Sequence, residues 1–503
     1  MAAVRANAKS ADCRYAVRMT ANTQTMIAAV ARELGPATVI SDPHDIAPWL
    51  TDWRGRFHGQ AAAILAPRNT QEVAAMIRLA AECGVPLVPQ GGNTSMVGGA
   101  TPPPDGCALI LSLRRLNRMR SISAADHVAV VEAGMILADL HEQAAAVGSR
   151  FPLTLGARGS CTVGGLVATN AGGTQVLRFG TMRSLVAGVE AVLPDGTVHD
   201  GLSPLKKDNR GYSLDQLLIG SEGTLGIITA AALKLVPAIA DRAVAWVAVE
   251  DPQRALDLLR YLEARTESIE AFEIVPGPVL GMVLKHIPGT RAPLSGEQNW
   301  HLLIEAVSAN PAGQPAADLE RLLGKALEQG MIADAVVARN EAQANAMWRI
   351  RDSISEAERA EGSTIAHDIS VPVAGMPRFM VAAAAEVEQA FPGVTASGFG
   401  HLGDGNVHFH VRQGSRSGGR WYEEEGPAIT RLVHDLVTAA RGSISAEHGI
   451  GQMKLAEFER LAPAGRIAAL QAIKQGLDPQ WLMNPGKLVP GNLARPTGFE
   501  PVT

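Results

Sequence analysis

The chain has 503 residues, 47% hydrophobic and 19% charged, with a formal net charge of −5. This is ordinary globular composition with room for two or three domains. It excludes a polybasic nucleic-acid binder, because the short basic stretch LRRLNRMR (113–120) has no aromatic residue and reads as a solvated turn beside a strand.

Residues 1–25 contain Arg5, Arg14 and Arg18, one acid, Asp12, and no apolar core of a secretory signal. They read as a disordered extension, with a weak mitochondrial presequence as the alternative. A first helix is expected from Thr25 to Leu34. The stretch 61–92 then reads strand, helix, strand. Asn69 is its N-cap, Val73, Met76, Ile77 and Ala80 form one apolar face, and Gly84 stops it. Segments 107–113 and 127–134 are strands, and 136–148 is a helix. Segment 187–200 is a hairpin turning at Pro194-Asp195-Gly196, and 223–237 is a strand. Pro237 to Asp241 mark a boundary. Beyond it, strands at 246–250, 271–276 and 301–307 alternate with amphipathic helices at 253–265 and 316–330. That pattern suggests an antiparallel sheet covered by helices. Late helices are expected at 428–442 and 462–479, and an unstructured tail from 491 to 503. The four cysteines, Cys13, Cys83, Cys107 and Cys161, include no C-x-x-C pair. This fits a reducing compartment and excludes a disulfide framework. No apolar run reaches the ~18 residues that span a membrane. The expected location is cytoplasmic, or the mitochondrial matrix in a eukaryote.

Three glycine-rich stretches lie in the first half: PQGGNTSMVGGA (89–100), LGARGSCTVGGLVATNAGGT (155–174) and GSEGTLGIIT (220–229). None is a P-loop. Gly91 and Gly92 follow a strand and let backbone N–H groups approach an anion, while Gly164 and Gly165 open a short helix. One such loop is a set of tight turns, but three within about 140 residues point to a ligand cradle.

In the second half, GFGHLGDGNVHFHV (398–411) contains a G-x-G-x-x-G match. The dinucleotide fingerprint needs a helix opening from its glycines. NVHFHV instead alternates as a strand, so the match is accidental. Asn406, His408 and His410 share one strand face, and the glycine turn returns His401 toward it. With Glu447 of SAEHGIG (445–451), followed by His448, these residues suit zinc or another divalent first-row ion.

In combination and in this order, PxGGNTS…GG, GARGSCTVGGLVATNAGG, GSEGTLGIIT and MNPGKL (483–488) resemble the FAD-linked oxidases. These belong to the vanillyl-alcohol oxidase and p-cresol methylhydroxylase superfamily. The branch resembled holds D-2-hydroxyglutarate dehydrogenase, D-lactate dehydrogenase and the glycolate oxidase flavoprotein subunit, and the likeness covers roughly residues 45–490. It implies an α+β architecture. A two-part FAD-binding domain of the p-cresol methylhydroxylase type spans 26–237, and a substrate domain with an antiparallel sheet spans 238–440. A C-terminal segment, 441–490, returns to the FAD site.

The resemblance places Pro89, Gly91, Gly92, Asn93, Thr94 and Ser95 at the FAD pyrophosphate. It places Pro152, Leu155, Thr162, Gly164, Gly165, Thr169 and Gly173 along the flavin and ribityl chain. Glu222, Gly226 and Ile228 fall toward the adenine, and Asn484 toward the isoalloxazine. The first loop has no His or Cys, so FAD is expected to be non-covalent. HxGDGNxH and the later EH carry over His401, His408 and Glu447 as metal ligands, His448 as general base of near-neutral pKa, and Asn406 as an active-site orienter. The implied reaction oxidises a D-2-hydroxy acid to the 2-oxo acid, D-2-hydroxyglutarate first, with D-lactate or glycolate as alternatives. A redox-neutral transferase of the alkylglycerone-phosphate synthase type is the remote alternative. The electron acceptor is expected to be an electron-transfer flavoprotein, quinone or cytochrome, and a homodimer is expected.

The chain departs from the hydroxyglutarate pattern near the substrate. Arg351 matches the arginine that pairs with a substrate carboxylate; read by itself, it is equally an exposed helix arginine beside Asp352 or Ser355. Ser355 replaces a threonine, Ala366 stands where a lysine is expected, and alternation turns neighbouring His367 to the other strand face. His410 replaces an asparagine, and is a further ligand, a substrate contact or only a neighbour of the site.

Overall fold

The computed structural model describes residues 21–203, 205–414 and 420–491. Helical residues begin at 21, so the expected disordered extension ends sooner than residue 25. The reason is packing: Thr23 and Met26 are buried, and Asn22 Nδ2 donates to the Cys83 carbonyl at 2.9 Å. Residues 1–20 and 492–503, where the remaining extension and most of the tail were expected, lie outside the described residues.

In the first half the Thr70–Cys83 helix forms as its sequence dictates. The Asn69 side chain accepts from Glu72 N at 2.9 Å, and Gly84 ends the helix at φ 65°. Its apolar face, Val73, Met76 and Ile77, packs on the parallel strands Leu87–Gln90 and Leu109–Ser112. The same core takes in Val192 and Ile227 from a five-stranded antiparallel sheet. Apolar residues of that sheet also pack with the short helix Val163–Thr169. The glycine loops therefore leave strand ends that two sheets hold in place.

The second half is a seven-stranded antiparallel sheet. One face is covered by helices Pro252–Glu263, Pro315–Glu328, Met376–Ala390 and Gly426–Ala439. The opposite face is covered by Gly277–His286, Glu341–Asp352 and Ile354–Glu361. Strand Asn406–Gln413 sends Val407, Phe409 and Val411 into the first of these cores, as period-2 alternation requires. The chain then returns to the first half. Met483 bridges Leu87, and buried Lys474 donates to the carbonyls of Thr224 and Met483 at 2.7 and 2.9 Å. The mixed helix-and-sheet class with an antiparallel second sheet is the one expected.

Candidate active site

The glycine loops close on one another. A Cβ on Gly92 would lie 1.8 Å from the Ser160 carbonyl oxygen, and one on Gly91 would lie 2.1 Å from Thr162 Oγ1. Only glycine permits this approach of two loop backbones. Ser95 Oγ accepts from Gly99 N, and Pro89 packs against Gly223. Thr94 and Leu155 are half-buried, Pro152 is buried, and Thr169 Oγ1 donates back to the Gly165 carbonyl. Asn93, Asn170, Glu222 and Asn484 all adopt positive φ, a concentration of backbone strain along these loops. Thr162 Oγ1, Ser221 Oγ and Asn484 Oδ1 are buried and have no hydrogen-bond partner among the described residues. Buried polar atoms cost free energy unless something meets them, so these loops fit a polar cofactor.

Four of the residues expected here have structural work of their own. Ile228 packs in the core of the five-stranded sheet, and Gly226 sits under the Val192 carbonyl. The Glu222 carboxylate accepts from Ile450 N and Gly451 N, both at 2.7 Å. Asn484 Nδ2 donates to the Gly99 and Glu222 carbonyls at 3.0 and 2.7 Å. Glu222 and Asn484 thus lace the glycine loops to the segment that carries Glu447 and His448.

The tight turn Leu402–Gly405 brings His401 opposite Asn406 in register. On the other side of the same strand, Asp368 lies opposite His408 and Ala366 opposite His410. One ligand atom each from His401, His408 and Glu447 lies within 4.8 Å of the others, so the three expected metal ligands do converge. Glu447 Oε1 is buried and has no hydrogen-bond partner among the described residues, a donor atom suited to a cation. Two imidazoles and a carboxylate are a common zinc donor set. His401 is oriented for this role: its Nδ1 meets Glu273 Oε1 at 2.6 Å, which turns Nε2 toward Glu447 Oε1 at 4.0 Å. Carboxylates behind ligating histidines hold the ring and its tautomer in this way.

The electrostatics follow from burial. Burial opposes charge on His401, but Glu273 outweighs it and raises the imidazole to about 9. Burial likewise opposes ionisation of Glu273, yet Arg351 and His401 bring it down to about 2. Burial pushes Glu447 up to about 7. It also lowers His448 to about 4, against the pull of Asp368, so the expected near-neutral value is corrected downward. Asp368 is buried, but His448 and Lys454 hold it well below the usual carboxylate range. It accepts from Glu447 N, His448 N and Asn406 Nδ2 at 2.9, 3.0 and 2.9 Å. Asn406 is thereby tied to the carboxylate that holds the Glu447 and His448 amides.

His408, His410, His448, Arg351, Ser355 and Ala366 line one cavity of about 120 Å³. Arg351 is not the exposed helix arginine of its bland reading. Its side chain is 12% exposed, and its Nε donates to Glu273 Oε2 at 2.7 Å. His410 Nδ1 is paired with buried Glu358, and its ring stands edge-on to Phe399. It is not in the ligand cluster with His401, His408 and Glu447. His367 points away, as alternation requires, to the Phe409 carbonyl and Thr430 Oγ1 at 3.1 and 3.2 Å.

Known proteins resemble this chain over most of its length. Residues 61–201 match the family described as "FAD binding domain", and residues 239–488 match "FAD linked oxidases, C-terminal domain". The chain is 36% identical over 463 residues to the mitochondrial D-2-hydroxyglutarate dehydrogenase of Arabidopsis thaliana, covering 92% of this chain and 80% of that one. It is 35% identical over 448 residues to the D-2-hydroxyglutarate dehydrogenase of Xanthomonas citri pv. viticola, covering 89% and 93%. The chain belongs to the FAD-linked oxidases. Its fold is similar to that of 4-ethylphenol oxidase from Gulosibacter chungangensis, at TM-score 0.69 and 18% identity, covering 94% of this chain and 98% of that one. The protein is an FAD-dependent oxidoreductase.

Reading the sequence alone missed Glu273, Asp368, Lys454, Arg54 and Arg56. Glu273 had a visible signal, a lone acid inside the apolar strand AFEIVP. Asp368 had another, two residues from Ala366 and so on the same strand face. The two arginines of WRGRFHG had none, because the loop has no periodicity.

Proposed function

We propose that this FAD-linked oxidase is a divalent-metal-dependent dehydrogenase that oxidises a D-2-hydroxy acid to its 2-oxo acid, with D-2-hydroxyglutarate the preferred substrate. The observation that carries the reading is the convergence of His401, His408 and Glu447 beside His448 in one cavity. The names of the relatives support the substrate class. Pyrophosphate contacts are assigned to Gly91–Ser95, and the remaining glycine-loop residues to the rest of FAD. Bound FAD supplies the two-electron acceptor. A cation held by His401, His408 and Glu447, with zinc favoured by the donor set, supplies Lewis acidity to the substrate hydroxyl.

His448 then takes the hydroxyl proton. Its Nδ1 faces Asp368 Oδ2 at 3.5 Å, leaving Nε2 to act as base. With a value near 4 it is uncharged at neutral pH and ready to accept. Arg351, fixed by Glu273, orients the carboxylate next to the reacting carbon. The His401 imidazolium must lose its proton to ligate, so metal affinity falls with falling pH.

The test is anaerobic bleaching of the flavin by a panel of D- and L-2-hydroxy acids, with and without chelator. D-2-hydroxyglutarate should bleach it most efficiently, its L isomer should not, and chelation should abolish the response. Absence of bleaching by every hydroxy acid would favour the redox-neutral transferase and sink the proposal. Acid precipitation should leave the yellow chromophore in the supernatant, as non-covalent FAD requires.

A further inference from the structure

The loop from Thr51 to His58 belongs to the first half yet carries two arginines into the cavity. Thr51 and His58 bridge as an antiparallel pair. Between them the buried Asp52 carboxylate accepts from the backbone N–H groups of Arg54, Arg56 and Phe57 at 3.2, 2.6 and 2.6 Å. Asp52 is thereby turned to the backbone, and both guanidiniums are directed outward from the turn. The loop is anchored on the glycine loops: Asn93 Nδ2 donates to the Thr51 carbonyl at 2.9 Å, and Gln90 Nε2 to that of Trp49 at 3.0 Å.

Both arginines line the same cavity as His408 and His448. The other cations there have partners. Arg351 is paired with Glu273, and Lys454 donates to the carbonyls of Asp368 and Ile444 beside the Asp368 carboxylate. Among the described residues, neither Arg54 nor Arg56 forms an ion pair, and Arg54 Nε is a buried donor with no acceptor. Each packs on an aromatic ring, Arg54 on Trp53 at 5.7 Å and Arg56 on Tyr422 at 5.2 Å. Burial first, and the like charge of Arg56 second, depress the Arg54 pKa. The carboxylate that lines this cavity, Asp368, is taken up by Asn406 Nδ2 and the Glu447 and His448 amides, so two half-buried guanidiniums converging there are costly unless a further anion joins them. At position 366 the strand facing His410 offers a methyl rather than a cation.

We propose that Arg54 and Arg56 form an anion subsite that takes a second, distal carboxylate of the substrate and so selects 2-hydroxy dicarboxylates over monocarboxylates. This rests on reading the cavity as the hydroxy-acid site. A planar guanidinium meets a carboxylate through two parallel N–H groups, so an uncharged side chain of similar length loses both charge and geometry.

The experiment uses the holoprotein with oxidised FAD. It is titrated with 2-oxoglutarate and with 2-oxopentanoate, the same chain without the distal carboxylate, and binding is followed by flavin absorbance. Wild type should prefer 2-oxoglutarate. Arg54→Gln and Arg56→Gln should each weaken it at least about tenfold and change 2-oxopentanoate less than about twofold, with the FAD-to-protein ratio unchanged. Arg56→Lys should recover part of the loss. Equal weakening of both ligands, no weakening, no dicarboxylate preference in wild type, or lost FAD in the variants overturns the subsite. Binding is read without turnover, so the two proposals fail separately. An arginine-dependent dicarboxylate preference without bleaching by any hydroxy acid keeps the subsite and removes the dehydrogenase reading. Bleaching without that preference does the reverse.

Discussion

Gly91 and Gly92 shape their surroundings by lacking a side chain, whereas Glu273, Asp368 and Glu447 shape theirs by carrying buried charge. In the first half, close approach of loop backbones leaves oriented N–H groups and a few unmet hydroxyl and amide oxygens. The carboxylates of Asp52 and Glu222 buried there are met by backbone N–H groups. In the second half, charged groups hold one another across strands and helices, His401 by Glu273 and Glu273 by Arg351, and Asp368 holds the Glu447 and His448 amides. A cradle of backbone suits a large, many-contact ligand. A charged cluster suits a small cation and a proton transfer, because buried charges interact strongly over short distances. The two halves should therefore fail independently when either is damaged.

The largest effect is expected at the base. His448→Gln should slow flavin reduction by about 10²–10⁴-fold while FAD and metal contents stay at wild-type levels, measured by rapid-mixing absorbance and elemental analysis. A normal reduction rate would remove His448 from its role. Next comes the backbone cradle. Gly92→Ala forces a methyl against the Ser160 carbonyl, an overpacking cost of about 1–3 kcal/mol. It should lower FAD retention on gel filtration and leave the metal in place. Simultaneous loss of both would show that the halves are coupled.

Glu273→Gln keeps the size of the side chain but removes the charge behind His401. Metal affinity should drop about 10–100-fold in a competition titration with a chelator, with FAD retained. An unchanged affinity would reduce Glu273 to a structural ion-pair partner of Arg351.

The smallest effect concerns pH. Burial holds His367 near 3 in the folded chain, against about 6.5 when unfolded. The unfolded state therefore binds the proton first as pH falls. The contribution of this neutral histidine is fully present above about pH 6.5 and is lost progressively below it. Between pH 7 and 5.5 wild type should lose about 1 kcal/mol more than His367→Gln, read from urea midpoints. Equal slopes would mean that His367 is already titrating in the folded state.

How much of this was legible follows from how local each signal is. The Asn69 cap, the apolar face of the Thr70–Cys83 helix and the Asn406–Gln413 alternation are short-range patterns, and each forms as read. The grouping of His401, His408 and Glu447 was also readable, because a tight turn and a two-residue period leave little freedom. The start of the first helix was misplaced, since only tertiary burial of Thr23 and Met26 extends it past Thr25. His448 was read at an ordinary histidine value because sequence spacing carries no information about desolvation.

The sequence by itself determined the family, the glycine cradle and the metal-like histidine pattern, because each is written in residue type and near-neighbour spacing. Only the tertiary structure decided which acids support them. Glu273 lies 128 positions from His401, and Glu222 lies 228 from Ile450, so only the paired strands and the returning C-terminal segment could bring them together. It also decided that Arg54 and Arg56 share a cavity with His408 and His448. Charges cluster this way when folding removes water from between them, and no pattern along the chain records which charges will be left to face one another.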